Sequence, residues 1–222
     1  MLDIFDILGP VMVGPSSSHT AGAVRIGRMA RALLGAPPVR AEIGLYGSFA
    51  DTGAGHGTDR ALVAGLLGLR PDDLDIPHSF ALAEKAGLDF HFYTAKLREA
   101  HPNTAVLTVE DAALRRLEMQ AASTGGGRIR VTKLGGVDVD FTGMFNTLVI
   151  RHRDMAGALA EVTKELSAFR VNIASLNMAR DRRGGEALMV IETDQSVPPV
   201  AQALISEIRG VTNVTYYAKE AN

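Results

Sequence analysis

The sequence contains no cysteine and no tryptophan. Without thiols there is no disulfide, no thiol nucleophile, and no metal or iron–sulfur site built from this chain's own thiolates. Such a site on a partner chain stays open. Charge of one sign is not in excess: 23 Lys and Arg stand against 25 Asp and Glu in 222 residues, a formal net charge of −2. That balance offers no electrostatic footprint for nucleic acid or an anionic membrane. No apolar run approaches the roughly 18 residues a membrane span requires. The stretch from Met1 to Pro15 carries Asp3 and Asp6 and no basic residue, unlike a secretory signal peptide. These absences point to a cytoplasmic protein. What is plentiful is apolar: 46% hydrophobic residues with 22% charged suffice for a core over one or two domains.

Pattern divides the chain near residue 145. In residues 1–145, a Gly-Pro-Ser-rich stretch from Val11 to Thr20 precedes Ala23, Ile26, Ala30, Leu33 and Leu34, spaced as one face of a helix. Ser18 or Thr20 fits the start of that helix and Gly35 its end. Pro37 and Pro38 stop it. Ala41, Ile43 and Leu45 alternate as a strand. Gly47 to Gly57 reads as a second glycine-rich loop, and Thr58 as the N-cap of a helix through Ala61, Leu62, Leu66 and Leu69. Residues 79–86 read as a short helix, and 89–94 and 104–109 as strands. Leu117, Met119 and Ala121 alternate with polar neighbours and reach Gly125-Gly126-Gly127, a hairpin turn into Ile129 and Val131. This is a mixed α/β domain.

Residues 146–222 have another rhythm. Thr147–His152 reads as a strand, Ala156–Leu166 as a helix, Asn172–Arg180 as a strand. Gly184-Gly185 is a turn before the strand Ala187–Glu192. Pro198 and Pro199 start a helix through Ile208, and Val211–Tyr217 is a last strand. The order β-α-β-β-α-β is the ferredoxin-like plan, so the fold class is α/β (α+β). So small a module buries little surface alone, and self-association edge to edge is expected.

Two segments are dense in chemistry. Ser16, Ser17, Ser18, His19 and Thr20 lie where a loop enters a helix. Unpaired N–H groups and hydroxyls there suit a carboxylate or phosphate. Arg25 and Arg28 lie one to two turns on, and His19 can move a proton near neutrality. The same residues also make an ordinary serine-rich cap. The stretch is not a P-loop, since no Gly-Lys-[Ser/Thr] ending follows. In the second segment glycines flank His56, and Thr58 and Asp59 sit at a helix start, where a carboxylate is favoured for structural reasons alone. Ser48 and Thr52 are nearby hydroxyls. No HExxH or two-His-plus-carboxylate spacing occurs, so no metal site is expected in this chain.

Four runs carry a resemblance: FDILGPVMVGPSSSHTAGAVRIGRMAR (Phe5–Arg31), LYGSFADTGAGHGTDRAL (Leu45–Leu62), HPNT (His101–Thr104) and STGGGRI (Ser123–Ile129). With them, residues 1–145 resemble the β chain of the iron–sulfur-dependent bacterial L-serine dehydratases. The first domain is also similar, at fold level, to the allosteric substrate-binding domain of some D-3-phosphoglycerate dehydrogenases. Residues 146–222 resemble an ACT domain, a small-ligand-sensing module. The resemblance implies conversion of L-serine to pyruvate and ammonia with a partner α chain. It places a [4Fe-4S] cluster on cysteines of that chain, consistent with their absence here. It implies His19 and His56 as acid/base candidates, and Ser16, Ser17, Ser18, Thr20, Thr58 and Asp59 as substrate-binding residues. In ACT modules a regulatory ligand commonly sits after the first strand, often between two copies. That implies Asp154, Met155, Ala156 and Gly157, with Asn172 and Ile173 from the second strand. Ala156 stands where many such loops have proline. Two rival readings remain: a stand-alone amino-acid sensor without catalysis, and a hydrolase using Ser17 or Ser18. The second lacks a nucleophile-elbow motif.

Overall fold

The computed structural model describes residues 12–14 and 16–219, and of residue 54 only the backbone. Most of the N-terminal stretch discussed above lies outside these residues. Two compact units divide after Gly136.

In the first unit a π-turn, Ser17–Ala21, runs directly into α1 (Gly22–Leu34). The cap is neither Ser18 nor Thr20. Ser16 fills that place, its Oγ accepting the His19 backbone N–H at 3.2 Å. α1 buries Ala23, Val24, Ile26, Met29, Ala30 and Leu33, the face its spacing predicts. It ends at Gly35, whose left-handed backbone returns its N–H to the carbonyls of Arg31 and Ala32.

β1 (Pro38–Tyr46) follows. The segment read as a second loop is instead a helix, α2 (Ser48–His56), followed without a linker by α3 (Thr58–Leu67). Its glycines disfavour helix on propensity alone. Packing overrides that: Phe49 is fully buried, and Gly53 comes close to the Thr58 side chain. Gly57, with φ +71 in the left-handed region, turns the chain between the two helices and takes the N-cap place expected of Thr58. Thr58 lies inside α3 and is buried.

After α4 (Ser79–Ala86), β2 (Asp89–Thr94) pairs in parallel with β1. β3 (Thr104–Asp111), β4 (Arg116–Gly125) and β5 (Arg128–Leu134) form an antiparallel meander on the other side of β1. The spatial order is β2-β1-β3-β4-β5. Ile43, Leu107, Met119 and Leu134 stand opposite one another on successive strands, each at most 1% exposed. Burying each contributes roughly 1.5–3 kcal/mol. A one-residue slip would turn the row to the other face, so it fixes the register. α1 packs over β3, β4 and β5, and α3 packs on α1.

The second unit begins with β6 (Val137–Phe141), which lies against the strands Ile173–Arg180 and Glu186–Thr193. The structural division therefore precedes the pattern break at 145. The module then runs β7 (Asn146–Arg153), α5 (Ala158–Ala168), β8 (Ile173–Arg180), β9 (Glu186–Thr193), α6 (Pro199–Glu207) and β10 (Val211–Tyr217). The sheet order is β10-β7-β9-β8, the expected ferredoxin-like arrangement. Leu148, Ile150, Met189 and Ile191 meet Val162, Leu166, Ala201 and Ile205 in its core. β7 and β8 are both antiparallel to β9, hence parallel to each other. Among the described residues no helix is long and apolar enough to cross a membrane.

Candidate functional site

The π-turn is a local consequence of two carbonyls. The Ser16 carbonyl accepts the Thr20 N–H at 2.8 Å, while the Ser17 carbonyl accepts the Gly22 N–H five residues on. The wider turn brings His19 round to face α2. Such single π-turns recur at functional sites.

His19 is ringed by hydroxyls. Its Nδ1 lies 3.2 Å from Ser18 Oγ and 3.4 Å from Ser16 Oγ, which are themselves 3.2 Å apart. Its Nε2 lies 3.1 Å from Ser48 Oγ and 3.3 Å from Thr52 Oγ1. Phe49 meets the ring edge-on with centroids 5.3 Å apart, and the His56 ring lies 5.1 Å away, tilted by 51°. Burial first, and then the neighbouring His56, hold the imidazole below its ordinary 6.5, against a smaller opposing effect of its hydrogen bond to the Ser48 backbone carbonyl. Burial and His56 both favour the neutral ring, the form that can accept a proton.

The structure gathers Ser16, Ser18, His19 and His56 around one point. Ser17 is half-buried beside them in the same turn. The other expected residues sit differently. Thr20 is buried with its side chain against Gly14, and Thr58 is buried against Gly53; neither hydroxyl has a hydrogen-bond partner among the described residues. Asp59 accepts the Arg60 N–H at 2.8 Å, the helix-start role that its position also allowed. Arg25 donates to the Gly127 carbonyl at 2.8 Å, and Arg28 to those of Gly68 and Leu69 at 2.7 and 3.2 Å. Both guanidinium groups thus hold backbone carbonyls.

Ser48 and Thr52 complete the surround of His19, and sequence reasoning gave them no role. The signal was present: Ser48, Thr52 and His56 are spaced by four, one face of a helix. Reading the stretch as a loop hid it. The two remaining motifs border the same place. The Pro102 carbonyl accepts the Phe49 N–H at 3.4 Å and backs onto Gly47. The Ser123 N–H donates to the Asn103 carbonyl at 2.9 Å, while the Ser123 hydroxyl is buried against Gly22.

In the second unit the loop after β7 has its own geometry. Asp154 Oδ2 accepts from Arg180 at 2.7 Å and from the Gly184 N–H at 2.9 Å. The Gly184 N–H, and then Arg180, hold this carboxyl below its ordinary 3.8. Met155 is 37% exposed, Ala156 is exposed, and Gly157 starts α5 in the left-handed region. Asn172 bonds Asp194 and Gln195 at 2.6 and 2.7 Å, and Ile173 pairs with Thr193. Because β7 and β8 are parallel, Asp154 follows the end of one and Asn172 precedes the start of the other. One copy therefore separates them by the length of the sheet, roughly 25 Å at about 3.3 Å per residue.

Among the described residues no three His, Asp or Glu side chains gather as a metal site. The fold and site define a class: a mixed α/β unit carrying a histidine in a ring of hydroxyls, joined to a ferredoxin-like module. Residues 1–86 match the family described as Serine dehydratase beta chain, and residues 146–210 that of the ACT domain. The probable L-serine dehydratase beta chain of Bacillus subtilis is 41% identical over 215 residues, covering 97% of each chain. The L-serine dehydratase beta chain of Peptoniphilus asaccharolyticus is 37% identical over 95% of this chain and 94% of its own. L-serine dehydratase 2 of Escherichia coli is 43% identical over 82 residues, which cover 34% of this chain and 18% of that protein. The chain belongs to the family of L-serine dehydratase β chains.

Proposed function

We propose that this chain is the β subunit of an enzyme that converts L-serine to pyruvate and ammonia, working with a cysteine-bearing α chain. The reading rests on the close full-length relatives and on one observation in the site: His19 held between two pairs of hydroxyls, with His56 beside it. A [4Fe-4S] cluster, which family resemblance places on the α chain, finds no thiolate in this sequence. Its ligands are not here, and no step is assigned to it.

What this chain contributes is binding and proton movement. The turn from Ser16 to Thr20 holds the substrate carboxylate, with the Ser17 hydroxyl as the donor outside the ring around His19. Thr20 and Thr58, buried behind it, keep the turn and α3 in place, and Asp59 secures the start of α3. The Cα–H bond breaks and its proton passes to the histidine pair, while the β-hydroxyl leaves and takes up a proton as water. Aminoacrylate then tautomerises to the imine, and water hydrolyses it to pyruvate and ammonia. The second unit carries regulation, with Asp154 to Gly157 of one copy facing Asn172 and Ile173 of another across a self-associated pair.

The experiment is anaerobic co-production with the cysteine-bearing partner, followed by pyruvate formation from L-serine. His19→Gln and His56→Gln are measured separately. Loss of a general acid or base lowers turnover by about 10²–10⁴-fold. Unchanged turnover in both variants removes the pair from catalysis. A chain that binds serine but captures no partner and yields no pyruvate is instead a sensor.

A further inference from the structure

The hydroxyl protons around His19 can be counted. Thr52 Oγ1 lies 2.8 Å from the Ser48 carbonyl, one turn back on α2. A carbonyl only accepts, so the one hydroxyl proton of Thr52 is committed there. Thr52 Oγ1 is then purely an acceptor toward its two other neighbours, Ser48 Oγ and His19 Nε2, each at 3.3 Å.

Two arrangements can be compared. With Nε2 bare, Ser48 donates to it, and both contacts to Thr52 then set lone pair against lone pair. With the proton on Nε2, the ring donates to Ser48 and Thr52 together, and Ser48 donates to Thr52. Every contact at this end is then satisfied. At the other end a bare Nδ1 costs less. Ser16 Oγ accepts the His19 backbone N–H and donates to Ser18, whose own proton goes to Nδ1. Only the longer 3.4 Å contact of Ser16 with Nδ1 is left without a proton, against two such contacts around a bare Nε2.

We propose that Thr52 is a positioning residue that fixes His19 as the Nε2–H tautomer, so that the bare Nδ1 faces Ser18 in the substrate-holding turn. The chain of donors runs one way, from Ser16 to the Ser48 carbonyl, because its last acceptor has no proton to return. The proposal deepens the reading of this site as the proton-moving centre and rests on it for its functional meaning. The tautomer itself is measurable without turnover.

The test uses the full chain labelled with 15N-histidine, read by long-range 1H–15N correlation at a pH where the ring is neutral. His19→Gln identifies the His19 signals by their loss. In the unsubstituted chain the proton is expected on Nε2. Thr52→Val, which keeps shape and removes the acceptor, should shift His19 toward the Nδ1–H form. Thr52→Ser should restore the original pattern. A backbone amide spectrum shows that each variant is folded. A His19 proton on Nδ1 in the unsubstituted chain overturns the proposal, as does a folded Thr52→Val with an unaltered tautomer. If the tautomer behaves as expected but His19→Gln leaves turnover intact, the positioning stands and the catalytic reading falls.

Discussion

His19 and His56 stand ring beside ring, 5.1 Å between centroids, one held by hydroxyls inside the site and the other exposed at the end of α2. A positive charge on one disfavours a positive charge on the other. That is the second cause, after burial, of the lowered His19 pKa.

The sign of the pH dependence follows. Because the folded ring binds its proton less readily than the unfolded ring, its contribution is fully present above about 6.5 and is lost as pH falls through the lower folded value. His56→Gln should raise the His19 pKa part of the way to 6.5, leaving the burial effect. An NMR titration of the ring measures it. The acidic limb of the serine-deaminating activity should move to higher pH in the same variant; an unmoved limb separates His19 from that limb.

Gly27 of α1 and Gly65 of α3 meet where the helices cross. A Cβ on Gly27 would fall on the Leu62 carbonyl, and one on Gly65 on the Val24 carbonyl. Neither neighbour is a flexible side-chain end, so the helices must separate. Gly65→Ala should destabilise the first unit by about 1–3 kcal/mol, as overpacking does. A lower urea midpoint for that unit measures the effect, and an unchanged midpoint would mean the crossing relaxes freely.

Asp154 is held by the Gly184 N–H and Arg180. Its contribution is present above about 3.8 and is lost as pH falls through the lower folded value. Arg180→Ala should raise the carboxyl pKa only part of the way, since the Gly184 N–H remains. Carboxyl 13C titration reads the change.

The separation of Asp154 from Asn172 within one copy predicts complementation. Chains carrying Asp154→Ala or Asn172→Ala should each lose the heat of L-serine binding. Mixed and allowed to exchange, they should recover about a quarter of the sites, because half the pairs are mixed and each has one intact site of two. Calorimetry on the full chains reads this. No recovery would leave the module as a self-association device without the ligand.

Much of the fold was legible in the residues. The α1 spacing from Ala23 to Leu34, the alternation through Leu117, Met119 and Ala121, and the β-α-β-β-α-β order all reappear in the structure. Each is a local period, 3.6 or 2, and burial follows from it directly.

Sequence by itself determined the absence of thiolates, the two-module plan and His19 with its serines. It also determined the family, through ordered motifs rather than through chemistry. Only the tertiary structure decided that Ser48–His56 is a helix, because buried Phe49 and the close approach of Gly53 to Thr58 outweigh the poor helix propensity of its glycines. That in turn decided that Ser48 and Thr52 face His19 while Thr20 and Thr58 face inward. It also decided that Asp154 and Asn172 lie at opposite ends of one sheet. The physical reason is common to all three: a one-dimensional pattern records which residues are buried, whereas packing between distant segments sets which of them meet.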